Sequence, residues 1–120
     1  MDAEHAQQAA GTRVIVFTLD RPFAPNQEWN VDVFDGQFAT IQSTKSFVRD
    51  DPSPTGGLVL ILDPNIAAEF ELFSVSGGVQ ICINSTGVSC LASPTNPTNQ
   101  IRLEPISNAA NLTWIFEIIS

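Results

Sequence analysis

The sequence predicts an all-β chain of one domain, residues 1–120, built on an internal repeat of about 42 residues. Three observations carry that prediction. Val, Ile, Thr and Phe recur in short runs broken by Pro, Gly, Asn and Asp, which suits strands joined by turns. A short apolar strand, a polar connection and a strand opened by an aromatic occur three times. The pairs are Arg13–Phe17 with Trp29–Val33, Gly57–Leu62 with Phe70–Phe73, and Gln100–Pro105 with Asn111–Ile119. Their opening aromatics stand at 29, 70 and 114, and Ile41-Gln42-Ser43-Thr44-Lys45 returns 42 residues on as Ile83-Asn84-Ser85-Thr86-Gly87.

Taken in order, residues 1–11 carry no alternation and no β-branched residue, so helix or irregular structure is expected there. Val14 to Leu19 predicts a strand apolar on both faces. Two prolines make residues 20–26 a loop, because proline cannot donate to a ladder. Trp29 to Phe34 alternates with period two and predicts a half-buried strand, followed by an Asp35-Gly36 turn. The second copy opens with Phe38 to Ile41 and Ser46 to Val48, then a proline-stiffened loop over residues 49–56. Leu58 to Leu62 and Glu69 to Val75 complete it, and Gly77-Gly78 ends it. The third copy opens with Val79 to Ile83, turns at 84–87 and returns over Val88 to Ala92. Trp29, Phe70 and Trp114 are expected at equivalent buried positions, with Val31, Leu72 and Phe116 pointing into the same core two residues on.

With Ser85-Thr86-Gly87 as a three-residue hairpin loop, Asn84 lies opposite Val88, Ile83 opposite Ser89, and Cys82 opposite Cys90. Directly opposed cysteines are within disulfide reach, and the alternative is a pair of small buried hydrophobes. Asn84-Ser85-Thr86 and Asn111-Leu112-Thr113 are glycosylation acceptor patterns, of a kind that a chain rich in Asn, Ser and Thr also forms by chance.

Composition narrows the function classes. At a net charge of −8 with no Lys/Arg cluster, nucleic acid and anionic membranes are repelled over most of the surface. No run approaches the roughly 18 apolar residues of a membrane span. The chain shows no N-terminal apolar segment, so a cytoplasmic location or a secreted chain freed of its signal is expected. His5 is the sole histidine and sits in the N-terminal segment, which disfavours Ser-His or Cys-His catalysis. Metal-ligand spacing and a Gly-rich phosphate loop are missing, so no enzyme, cofactor or metal is expected.

Three four-strand copies, each closing on aromatic-x-apolar, resemble a β-trefoil over residues 12–119, with the first repeat shortened at its N-terminus. Asn26-Gln27-Glu28-Trp29 resembles the Asn-Gln-x-Trp that closes a repeat in ricin-B-like trefoil lectins. Asn111-Leu112-Thr113-Trp114 keeps the Asn and Trp with Leu in place of Gln, and Ala68-Glu69-Phe70 keeps only the aromatic. Ile83-Asn84-Ser85-Thr86-Gly87 is similar to the Asn-x-x-Ser-Gly hairpin of mushroom members. The resemblance implies a carbohydrate-binding lectin without catalytic activity, fungal defence as its setting, a glycan or glycoprotein partner, and Asn26 and Asn111 as contacts to sugar hydroxyls. Such a site also needs a carboxylate on the first hairpin of the same repeat and an aromatic face nearby. In copy three that segment offers Ser89 to Ala92 and no acid; copy two offers Asp50 and Asp51 but no closing Asn.

Trefoils of the fungal kind also include protease inhibitors that present a rigid surface loop. Arg49, Asp50, Asp51 and Pro52 suit that alternative, since prolines reduce the ordering entropy lost on binding. An interaction module without a small-molecule site is the third expectation. The short first repeat raises a separate question, because an unfilled barrel position exposes unpaired amides. Either residues 1–11 pair against their propensity or another chain, as in a homo-oligomer, covers the opening.

Overall fold

Period-two apolar alternation, interrupted by residues that favour positive φ, divides the chain into short antiparallel strands. The computed structural model describes residues 1–4, 7–9, 12, 14–15, 27–43, 46–50, 57–61, 67–84, 88–94 and 99–116. Among them the strands are β1 (Asp2–Ala3), β2 (Val14–Ile15), β3 (Asn30–Phe34), β4 (Phe38–Gln42) and β5 (Phe47–Asp50). They continue with β6 (Leu58–Ile61), β7 (Phe70–Val75), β8 (Gly78–Asn84), β9 (Val88–Ala92) and β10 (Arg102–Pro105), and then a 3-10 turn, Ala110–Leu112. The chain is therefore all-β. The β3–β4 turn places Asp35 at φ 52° and Gly36 at φ 79°, a region open to glycine and better tolerated by Asp than by most residues.

All strand pairs are antiparallel. One sheet runs β10-β9-β8-β7-β4-β5-β6, with β3 also on β4; β1 and β2 form a separate pair. The main sheet is not a single flat layer. A single flat layer is about 10 Å thick, whereas the molecule extends 31 × 31 × 29 Å.

β4 and β8 are branch points of the same kind. β4 joins β3, its hairpin partner β5, and Phe70 of β7 through Ala39. β8 joins β7, its hairpin partner β9, and Trp114 through Val79. The last contact is a reciprocal pair, Val79 and Trp114 each donating an amide N–H to the other's carbonyl at 2.8 Å. Gly78 permits it, because a Cβ there would lie 2.3 Å from the Trp114 carbonyl oxygen.

Ala3, Val14, Ile41, Val48, Phe70, Ile81, Leu91 and Ile101 form one fully buried cluster, with Trp29, Val31, Leu72 and Trp114 half-buried against it. A second cluster of Cys82, Cys90, Ala92 and Leu112 lies under the β8–β9 hairpin. Phe70 is the largest fully buried side chain among the described residues. Phe116 departs from expectation: it is 43% exposed and lies in no strand among the described residues.

The N-terminus also departs from expectation. Asp2–Ala3 is a strand, in register with Val14–Ile15, and both of its residues are buried. The Met1 carbonyl accepts the Trp29 indole N–H at 3.0 Å, and the Asp2 carboxylate accepts the Gln27 amide at 3.0 Å. Tertiary partners thus override a weak local propensity. β1 pairs with β2 and not with β3.

Candidate functional site

Among the described residues, polar side chains converge at a surface pocket of about 450 Å³ between β9, β10 and the 3-10 turn. Alternation along β10 builds one wall. Leu103 is half-buried against the main core, so its neighbours Arg102 and Glu104 fall on the opposite face and are exposed. Register fixes their depth, with Arg102 opposite Ala92 and Glu104 opposite Cys90.

The turn builds the other wall. Leu112 is 1% exposed and packs on the cysteine pair, while the Asn111 carbonyl accepts the Ser93 amide at 2.8 Å. These two anchors hold the Asn111 side chain at the pocket, where its Nδ2 donates to Glu104 Oε2 at 3.0 Å. Ser93, Asn99 and Gln100 add further polar groups, and no aromatic side chain lines the pocket among the described residues. The arrangement offers a carboxylate acceptor, an amide with donor and acceptor, and a guanidinium donor within one concave patch.

The structure treats the other sequence candidates unevenly. Asn26, Asp51 and Pro52 lie outside the described residues. Arg49 sits in β5 opposite Val59, half-buried, and Asp50 ends that strand opposite Leu58. Asn84 ends β8 opposite Val88. The β8–β9 register is the one the three-residue loop implies, Cys82 faces Cys90, and the structure joins them as a disulfide with both residues fully buried.

Sequence reasoning misses Arg102 and Glu104. It places the acid on the first hairpin, at Ser89 to Ala92, whereas the next strand, β10, supplies it, with Glu104 opposite Cys90. The available signal was the Arg102/Glu104 alternation followed by Asn111 seven residues on. No group of His, Cys, Asp and Glu among the described residues could hold a metal ion. Among the same residues no helix is long and apolar enough to cross a membrane. No protein-family model, curated protein or solved structure matches the chain.

Proposed function

We propose that the chain is a β-trefoil carbohydrate-binding domain without catalytic activity, with its sugar site in the pocket at Asn111, Glu104 and Arg102. The repeat reading is supported by how the copies pair. β4 and β8 branch alike, and Ala39–Phe70 has its counterpart in Val79–Trp114. Hairpins β1–β2, β5–β6 and β9–β10 take equivalent places, and β2 packs beside β6 and bridges Gln100 through Ile15. The two tryptophans make matching bonds. Trp29 Nε1 donates to the Met1 carbonyl and Trp114 Nε1 to the Leu91 carbonyl, both at 3.0 Å and both beside the hairpin of their own copy.

The Asn111–Glu104 hydrogen bond is the single observation that carries the carbohydrate reading. Sugar hydroxyls both donate and accept, so a pocket that pairs a carboxylate with an amide can satisfy two adjacent hydroxyls at once. Arg102 adds a donor of fixed charge. A site of this kind works by hydrogen-bond direction more than by net charge, which suits a neutral ligand on a chain carrying −8. The inhibitor alternative rests on residues 49–56, of which only Arg49 and Asp50 at the end of β5 are described, and nothing there favours it.

A glycan array followed by titration of the best ligand tests the proposal. Glu104→Gln keeps the shape and removes the charged acceptor, whose hydrogen bonds are worth about 1.5–3 kcal/mol. Affinity should fall by about tenfold or more, and Asn111→Ala should fall similarly. Binding that is unchanged in both variants removes this pocket, and no binding to any glycan removes the carbohydrate function.

A further inference from the structure

The pocket and the Cys82–Cys90 bridge belong to one packed unit. Cys82, Cys90, Ala92 and Leu112 form a buried cluster of their own, with the half-buried Phe73 and Val88 against it. None of these residues is part of the main core cluster or packs on it. Both walls of the pocket start from the smaller cluster. On β10, Glu104 stands opposite Cys90 and Arg102 opposite Ala92, and directly opposed residues share a face. On the turn, Leu112 packs on the cysteine pair, and its neighbour Asn111 reaches Glu104 through Nδ2.

The turn is the least tethered part of this unit. β8, β9 and β10 are tied to one another by their ladders. Residues 108–113 hang between two fixed points. On one side the Ser107 carbonyl accepts the Gln80 amide at 2.8 Å, and on the other Trp114 pairs with Val79. Among the described residues, two hydrogen bonds tie the stretch between them to the sheet. The Ser93 amide donates to the Asn111 carbonyl, and Asn111 Nδ2 donates to Glu104. Both end at the pocket, and the burial of Leu112 at 1% exposure is the remaining hold.

We propose that the Cys82–Cys90 bridge regulates the pocket, which is assembled when the pair is oxidised and loosens when it is reduced. Reduction takes two electrons and two protons from a small dithiol, which leaves as its own cyclic disulfide, and the S–S bond becomes two thiols. Sulfurs that are no longer bonded need van der Waals separation, so the pair requires more room inside a closely packed cluster. The paired strands resist and Leu112 yields. Its displacement draws Asn111 away from Glu104 and takes apart the amide–carboxylate pair. The main core shares no residue with this cluster, so the change stays local. Both cysteines are 0% exposed, so a reductant reaches them only through local opening. The state of the pocket therefore follows the surroundings in which the chain folds and resides. It is formed where thiols are oxidised and loose where cellular thiols keep cysteines reduced. The effect on binding rests on the carbohydrate reading above, whereas the loosening of the turn does not.

Amide NMR of the whole chain, oxidised and in excess dithiothreitol, tests both halves, with thiols counted by alkylation and mass. The Ser93 amide reports the turn, and the Ala68 amide, bonded to the Val48 carbonyl at 3.0 Å, reports the main core. On reduction the Ser93 amide and the Asn111 side-chain amide should take on the temperature dependence of unbonded groups, while Ala68 keeps its position. Leu112→Ala should loosen Ser93 and Asn111 in the same way with the bridge intact, and Leu112→Met, which keeps the volume, should restore them. Titration of the best ligand from the glycan array should show an affinity loss of about tenfold or more on reduction. Unchanged Ser93 and Asn111 signals in fully reduced chain overturn the proposal. So does collapse of the Ala68 signal to that of unfolded chain, which makes the bridge a support of the whole fold. A Leu112→Ala chain with Ser93 still bonded, or a loosened chain that holds its ligand as tightly as before, also overturns it. A chain that loosens as expected and binds no glycan in either state supports the switch and fails the carbohydrate reading alone.

Discussion

Phe70→Ala removes the largest fully buried side chain among the described residues. Phe70 is fully buried, pairs with Ala39 across β4, and shares its cluster with Ile41, Val48, Ile81, Leu91 and Ile101. Truncating a buried Phe costs about 3–5 kcal/mol, because the transfer free energy is lost and the cavity collapses only in part. The expected stability of a 120-residue domain is about 6–18 kcal/mol, so the variant loses a large share of it. With a urea slope of roughly 2 kcal/mol/M the midpoint should fall by about 2 M, and the melting temperature by roughly 10–20 °C. Equilibrium unfolding by tryptophan fluorescence and circular dichroism measures both. Ile115→Ala serves as the control, being 80% exposed, and should change stability by less than about 0.5 kcal/mol. A loss below about 1 kcal/mol for Phe70→Ala, at unchanged slope, would refute the claim that Phe70 is packed in a rigid core.

Other variants probe separate joints of the fold. Gly78→Ala forces a Cβ to within 2.3 Å of the Trp114 carbonyl, so the Val79–Trp114 pair must open; stability should drop by about 2–4 kcal/mol and the amides of Val79 and Trp114 should exchange faster. Reducing Cys82–Cys90, whose sequence separation is 8, should cost about 2–3 kcal/mol by loop entropy; an unchanged melting temperature in excess reductant would show that the bridge constrains nothing. Burial pushes the Met1 ammonium below its usual range, against the opposing charge of Asp2. The folded state therefore disfavours the protonated amine, and stability should rise with pH from the lowered folded value up to the unfolded value of about 8. Nα-acetylation should flatten that rise in a urea-midpoint scan, and identical slopes for free and acetylated chains would count against the burial.

Local structure is legible in the residues alone. Alternation over Trp29 to Phe34 was enough to mark β3, because side chains in a strand point to opposite faces with period two, and the recurring short apolar stretch marked β10 within Gln100 to Pro105. A three-residue loop at 85–87 implied the β8–β9 register, and with it the facing of Cys82 and Cys90, because a hairpin pairs residues outward from its turn. The common period of the aromatics at 29, 70 and 114 pointed to the residues that meet at the core. Non-local pairing was decided only in the tertiary structure. Asp2–Ala3 is a strand because β2, Gln27 and Trp29 give it partners, and nothing in its own composition says so. Glu104 meets Asn111 because Leu112 seats the turn on the Cys82–Cys90 cluster beside β10. Phe116 follows the core-facing pattern and is still exposed. Alternation records which way a side chain points, whereas burial depends on whether another strand lies beside it.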